Sequence, residues 1–214
     1  MLKANPDKFH LLLSTTDINF SIKVEQFVIQ NSMNENLLGI TLDNKLNFNK
    51  HVSGLCQKAS QKLHALARVS GFMTMEKRRI IMKAFINSQF GYCPLVWMFH
   101  SRNLNNQINR IHERTLRIVY NDQLSSFHEL LKRDKATTIH ERNIQTLAIE
   151  LYKVFNDISP EIMKEVFIKK ETSKYCSRFP FKGRNVNTVS YGPETLSFLG
   201  PKLWAIIPID IKNS

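Results

Sequence analysis

The sequence predicts a mainly α-helical chain with a small β piece at its N-terminal end, and three observations support this. Apolar residues alternate or form short runs in residues 1–48, which is typical of strands. From residue 49 to about residue 168 they recur every three or four positions, as on one face of a helix. Four of the seven prolines and three of the seven glycines fall in residues 175–214, which predicts an irregular segment there.

The β piece is expected to hold three short strands. Phe9 to Leu13 is a short apolar run, and residues 20–29 partly alternate between apolar and polar side chains, which predicts a half-buried strand. A turn-rich stretch, residues 31–36, separates them from a third strand over residues 37–42. So few strands make a weak domain alone. We therefore expect this piece to be the edge of something larger.

Two helices are expected to follow the β piece. The first begins at Asn49 and ends near Gly71, and Thr74 caps a second that runs to about Phe90. The predicted buried face of the first is Val52, Leu55, Cys56, Ala59, Leu63, Leu66 and Ala67, and that of the second is Ile80, Ile81, Ala84 and Phe85. A helix break is expected before Pro94. Tyr92 and Trp97 are expected in the core, and stacking of their rings on bases is the alternative.

Local capping patterns predict the later helices. A third helix should span about Leu104 to Val119, with an apolar stripe formed by Leu104, Ile108, Ile111, Ile118 and Val119. Ser126 with Glu129, and Thr138 with Glu141, have the spacing of capping boxes, so two helices should begin there. Ser159 and Pro160 should occupy the N-cap and first positions of a short helix, and one more is expected around residues 197–207.

These patterns divide the chain into three predicted segments. Residues 1–48 form the β piece, residues 49–168 a helical bundle, and residues 169–214 an irregular segment rich in Pro and Gly. Phe181 and Trp204 are among the apolar residues expected to hold the last segment against the helices.

Composition excludes several classes of protein. Of 214 residues, 43% are hydrophobic and 22% charged, as in a globular chain with a core. No stretch approaches the roughly 20 apolar residues of a membrane helix, and the first residues lack the apolar core of a signal peptide. Three cysteines without a CxxC pair favour neither a disulfide scaffold nor a four-cysteine zinc site. We expect an intracellular protein of the nucleus or cytoplasm, with no membrane partner.

Positive charge is concentrated in the helical part. The net charge is +12, and residues 50–142 contain sixteen basic and six acidic residues against fourteen and twelve in the remainder. A localised positive field suits a polyanion, most often nucleic acid. A solvated, solubilising surface is the alternative interpretation, and charge alone does not separate the two.

Catalytic signatures are absent from the sequence. It contains no GxSxG, HExxH, Walker loop or GxGxxG. The seven histidines are scattered, and no two aspartates are adjacent. We therefore expect no catalytic residue and no metal-binding residue in this chain.

Three blocks, in this order, resemble the end of reverse transcriptases from LINE-type (non-LTR) retrotransposons, especially the Jockey-like group. The first is LGITLDNKLNF from Leu38 to Phe48, followed by Lys50, His51 and Val52. The second is SQFGYCPLVW from Ser88 to Trp97. The third is GPKLW from Gly200 to Trp204 with Ile207, Pro208, Ile211 and Lys212, in which Ala205 replaces the usual Asn and Ile207 the usual Leu.

The resemblance implies a thumb and downstream region of such a polymerase. The palm and fingers, with the aspartate pair that holds magnesium, would be encoded before this region, so the chain alone is expected to be inactive and to hold no cofactor. Lys8 would match the lysine of an Asn-x-x-Lys motif, and Leu38 and Gly39 the turn that grips the primer. Phosphate contacts of a thumb would come from Lys50, Lys58, Lys62, Arg78 and Arg79.

The third helix adds three arginines. At 100° per residue, Arg110, Arg114 and Arg117 gather within about 60°, centred roughly 120° from the apolar stripe. They are expected to be accessible and to bind phosphate, since the guanidinium fork donates two hydrogen bonds. The expected partner is an RNA–DNA duplex or RNA. Two other interpretations stay open, a helical module that binds protein and a truncated reading frame without function.

Overall fold

The computed structural model describes residues 9–13, 19–24, 27–170, 180–182 and 195–212. The protein is mainly α-helical with a small N-terminal β piece, which confirms the predicted fold class. The strands are β1 (Leu11–Leu12), β2 (Ser21–Val24), β3 (Phe27–Ser32), β4 (Asn34–Leu37) and β5 (Ile40–Asp43). The helices are α1 (Asn49–Val69), α2 (Met75–Ile81), α3 (Pro94–Trp97), α4 (Arg102–Tyr120), α5 (Phe127–Asp134), α6 (Ile139–Phe155), α7 (Glu161–Val166), α8 (Leu196–Ile206) and α9 (Ile209–Lys212).

The chain divides into two compact units. Unit 1 comprises Met1–Tyr92 and His100–Ala136, and unit 2 comprises Cys93–Phe99 and Thr137–Ser214. This division differs from the three consecutive segments predicted, 1–48, 49–168 and 169–214. Strand β5 packs on α1, and α6 packs on α3 and α8. An apolar helix face is buried by whichever element lies beside it in space, so units need not follow sequence order.

The β piece has more strands than the sequence predicts. Instead of one strand over residues 20–29, β2 and β3 pair antiparallel, with Ile22 opposite Ile29. β1 pairs parallel with β3, while β4 and β5 form a separate hairpin. The predicted turn at residues 31–36 therefore falls largely within β3 and β4, because pairing between strands satisfies the backbone of these polar residues. Every residue of β2 is exposed, so the predicted half-buried strand is wrong.

A buried carboxylate directs the chain from β5 into α1. Asp43 Oδ1 accepts hydrogen bonds from the backbone N–H groups of Lys45 and Asn47, each at 3.1 Å, and its Oδ2 accepts from that of Phe48 at 2.7 Å. Leu46 and Phe48 both have positive φ, at 52° and 57°. These bonds stabilise a tight connection that two non-glycine residues in the left-handed region would otherwise disfavour.

The first helix matches its prediction except that Leu55 is half-buried and Ala67 is exposed, at the edges of the stripe. The second helix does not match. α1 buries Val52, Cys56, Ala59, Leu63 and Leu66, all members of the predicted stripe. Thr74 caps α2, as predicted, but α2 continues into a π-helical turn at Met82–Ile86 and a 3-10 turn at Asn87–Phe90. The buried side chains there are Met82, Ile86 and Phe90, instead of the predicted Ile80, Ile81, Ala84 and Phe85. The π-helical turn and the 3-10 turn have other numbers of residues per turn than an α-helix, so the face predicted with the α-helical period is displaced.

Both predicted capping boxes are present. The Ser126 hydroxyl accepts from the Glu129 N–H at 3.3 Å, and a Glu129 carboxylate oxygen accepts from the Ser126 N–H at 2.7 Å. Thr138 and Glu141 repeat the arrangement at the start of α6. The prediction for Ser159 and Pro160 is shifted by one residue. Pro160 has ψ of 150° and is itself the N-cap, so α7 begins at Glu161.

Each unit has its own hydrophobic cluster. In unit 1, Met82 packs with Leu116, Val119, Leu130 and Leu131. The cluster of unit 2 joins α6 to the C-terminal part of the chain and consists of Leu147, Leu151, Val154, Phe167, Phe181 and Trp204. The predicted burial of Phe181 and Trp204 is therefore confirmed. Where an irregular segment was predicted, the described residues form α8 and α9, and α8 matches the helix expected around residues 197–207.

No helix among the described residues combines the length and the apolar character that a membrane span requires.

Candidate nucleic-acid interface

The predicted primer-grip turn is the tip of the β4–β5 hairpin. Leu38 and Gly39 join the paired residues Leu37 and Ile40, and both have positive φ, at 49° and 83°. A two-residue turn with positive φ at both positions matches the twist of a hairpin, and glycine adopts this conformation without steric cost. A Cβ on Gly39 would lie 3.7 Å from the nearest atom, Cε1 of Tyr92. The backbone conformation of the turn therefore favours glycine at this position.

The exposed side chain of Tyr92 is hydrogen-bonded to this turn. Its hydroxyl donates to the Leu38 carbonyl oxygen at 2.8 Å. The predicted core position of Tyr92 is wrong, because 53% of the residue is exposed, whereas Trp97 is fully buried as predicted. Leu38 is 82% exposed, so the turn presents an apolar side chain to solvent. Lys8, which the resemblance matches to the lysine of the Asn-x-x-Lys motif, lies outside the described residues.

The lysines of α1 lie away from its buried stripe. Lys50 and Lys58 are exposed, and Lys62 is half-buried. His51, on the same helix, is buried, and its Nδ1 accepts a hydrogen bond from the Thr41 N–H at 3.3 Å. Burial lowers the pKa of His51, and the positive charge of Lys58 lowers that pKa further. His51 is thus held in the neutral form that can accept this bond.

Arg78 and Arg79 are engaged inside unit 1. Arg78 donates to the Ile118 carbonyl oxygen at 2.7 Å. Arg79 donates from Nε to the Asp134 carboxylate and from Nη2 to the Asp134 carbonyl oxygen. Asp134 is only 2% exposed and also accepts from the Tyr120 hydroxyl at 2.7 Å. These guanidinium groups tie α2 to α4 and α5, so we leave both arginines out of the candidate phosphate contacts.

The three arginines of α4 have different environments. The predicted apolar stripe is buried at Ile108, Ile111 and Val119. Arg110 and Arg114 are exposed and, within the described part of the chain, have no hydrogen bond or ion pair. Arg117 is partly buried and donates to the Glu113 carboxylate at 2.7 Å and to the Gln123 carbonyl oxygen at 2.6 Å. Two of the three predicted contacts are therefore available to a ligand.

Exposed amides extend this surface. Asn103 and Gln107 are exposed, and with Arg110 and Arg114 they fall within about 60° of one another around the helix axis. We call these four residues the α4 polar face. Amide groups donate to phosphate and sugar oxygens as arginine does. The charge pattern of the sequence did not indicate these uncharged amides, although they lie seven and three residues before Arg110 on the same helix.

The described residues contain no group of three or more His, Cys, Asp or Glu side chains placed to hold a metal ion. Comparison with known proteins adds no assignment. No protein-family model matches this chain, and neither a curated protein nor a solved structure matches it.

Proposed function

We propose that this chain is the thumb and downstream region of a LINE-type, Jockey-like reverse transcriptase, and that it binds an RNA–DNA duplex or RNA through the phosphates. The α4 polar face carries this proposal. Its two arginines are exposed and have no acidic partner in the described part of the chain. Two unpaired guanidinium groups one helical turn apart, flanked by amides, form a surface suited to a row of phosphates.

Helix α1 supports the same function. It packs against α4 within unit 1, and its Lys50 and Lys58 are exposed. Basic side chains on two packed helices match a thumb that grips a duplex by its backbone, which needs positive charge and reach but no base recognition. The exposed Leu38–Gly39 turn supports the assignment of a primer grip. The palm, the fingers and their magnesium would belong to other parts of the polymerase, which would act in the nucleus or cytoplasm.

Binding measurements test the α4 polar face. Replacing Arg110 and Arg114 together with alanine should weaken binding to a fluorescein-labelled RNA–DNA duplex, measured by anisotropy at several salt concentrations. The slope of log K against log salt should become shallower by about 0.7–0.9 for each phosphate that the variant no longer binds. Arg117 is retained in this variant because its hydrogen bonds are internal.

Two control variants make this test specific. Replacing Lys170 and Lys182 with alanine removes the same charge from exposed positions in unit 2, and the salt slope should not change. Replacing Arg110 and Arg114 with lysine should preserve most of the slope, since a point charge is sufficient for phosphate. Circular dichroism checks that helicity is unchanged. Equal affinity and slope for the alanine variant and the parent chain would exclude α4 from the interface.

We expect no polymerase activity from the chain alone. Two-metal phosphoryl transfer depends on carboxylates that converge on the metal ions, and no two of the aspartates in the sequence are adjacent. The purified chain should not extend a primer on an RNA template with magnesium and deoxynucleotides. Template-dependent incorporation above a control without protein would show that this assignment is wrong.

A further inference from the structure

Unit 2 contains a cavity that the nucleic-acid proposal does not use. Its volume is about 220 Å³. It is lined by Ile149 and Tyr152 of α6, by Trp204 and Ile207 at the end of α8, and by Ile211 and Lys212 of α9. The wall is almost entirely apolar. Cavities with this character, bordered by a small number of polar groups, are the usual sites of ligand binding.

Two of the residues that line the cavity are exposed isoleucines. Ile149 is 55% exposed and Ile211 is 60% exposed, although both side chains line the cavity. Exposed apolar side chains that are contiguous with an apolar cavity mark an interaction surface more often than scattered ones do. A molecule that filled only the cavity would leave most of these two side chains in water. Their exposure therefore favours a ligand larger than the cavity.

One cation borders this apolar wall. Lys212 is half-buried, and its Nζ lies 5.5 Å from the centroid of the Trp204 ring. Within the described residues it forms no ion pair with a carboxylate. An ammonium group held beside an indole ring and an apolar cavity is complementary to an anionic group on the ligand.

We propose that this cavity is a docking site for a segment of a partner protein. The segment inserts one bulky apolar side chain, such as leucine, phenylalanine or tryptophan, and places an acidic side chain beside Lys212. The volume fits a single large side chain, since a dry cavity of about 150 Å³ accommodates benzene. The exposed isoleucines pack against the flanking residues of the segment, as in the binding of an amphipathic helix to a groove. This inference does not depend on the proposed binding of nucleic acid.

A peptide library can test this site. A phage-displayed dodecapeptide library is selected on the full chain after subtraction on the full chain carrying Ile149→Asp. Ile149 is more than half exposed, so this change should leave the fold intact, as judged by circular dichroism. Enriched sequences should share a bulky apolar residue with Asp or Glu within one helical turn of it. The proposal is overturned if no sequence distinguishes the two chains, or if the enriched sequences lack the acidic residue.

A charge swap tests the role of Lys212. The most enriched peptide is synthesised in its original form and with the acidic residue changed to lysine. Lys212→Glu should weaken binding of the original peptide by about threefold to tenfold, and should restore binding of the lysine peptide. Lys202→Glu is the matched control, because Lys202 lies on α8 over the Phe198 ring, outside the cavity. Equal effects of the two lysine variants would indicate general electrostatics and overturn the proposal.

Discussion

Replacing Asp134 with alanine is expected to lower the free energy of unfolding of unit 1 by about 2–4 kcal/mol. The buried carboxylate accepts hydrogen bonds from Arg79 and from the Tyr120 hydroxyl, so it joins α2, α4 and α5. Its removal leaves both donors without this acceptor. The loss should be smaller than for a fully buried ion pair, because the Arg79 side chain is 37% exposed and can be rehydrated.

Stability and titration measurements together identify this network. Both tryptophans lie in unit 2, so tryptophan fluorescence does not report on the unfolding of unit 1. The stability of unit 1 is measured instead by hydrogen exchange at the amides of α2, α4 and α5. Tyr120→Phe removes one hydrogen bond and should cost only about 1 kcal/mol.

Titration of Tyr120 provides a second measurement. Burial, together with the hydrogen bond to Asp134 and its negative charge, raises the pKa of Tyr120 from 10.0 to about 12. The protonated phenol is therefore favoured in the native state. Its contribution to stability is fully present below pH 10 and is lost as the pH rises from 10 through about 12. The alkaline absorbance change of Tyr120, identified by difference from the Tyr120→Phe variant, should move to lower pH when Asp134 is replaced. An unchanged titration would contradict the assigned network.

Replacing Gly200 with valine is expected to destabilise unit 2 by about 3 kcal/mol. A Cβ on Gly200 would lie 2.5 Å from Cε1 and 2.9 Å from Cδ1 of Phe167, and 3.2 Å from Cδ2 of Leu151. Phe167 is 1% exposed and Leu151 is fully buried, so neither side chain has space to move away. Overpacking of a closed core forces side chains from their preferred rotamers. Trp204, in the same cluster, provides a fluorescence signal for unfolding in urea.

Another helical glycine provides a matched control. A Cβ on Gly54 of α1 would meet no atom within 4 Å. Gly54→Ala should therefore stabilise unit 1 by about 0.5–1 kcal/mol, the difference in helix propensity, as measured by hydrogen exchange at the amides of α1. Gly200→Ala should instead be destabilising, though less so than valine. If both alanine variants were stabilising, the close approach of α8 to Phe167 would be refuted.

Sequence alone predicted the features that depend on neighbours along the chain. The capping boxes at Ser126 and Thr138 form within a single helical turn, so residue types at a fixed spacing are sufficient to specify them. The buried face of α1 follows from periodicity, because a regular helix places residues three and four apart on one side. The same reasoning located α4 and its exposed Arg110 and Arg114.

Tertiary structure decided which polar side chains are available for binding. The sequence does not distinguish Arg79 from Arg110, since both carry one positive charge. In the structure Arg79 donates to Asp134, 55 residues away, whereas Arg110 has no partner in the described part of the chain. Local patterns carry no information about such a distant acceptor. Tyr92 was misplaced for the same reason, because the carbonyl that it contacts lies 54 residues earlier, in Leu38. The division into units and the cavity of unit 2 also depend on which helix faces meet in space, and that is a property of packing between distant segments.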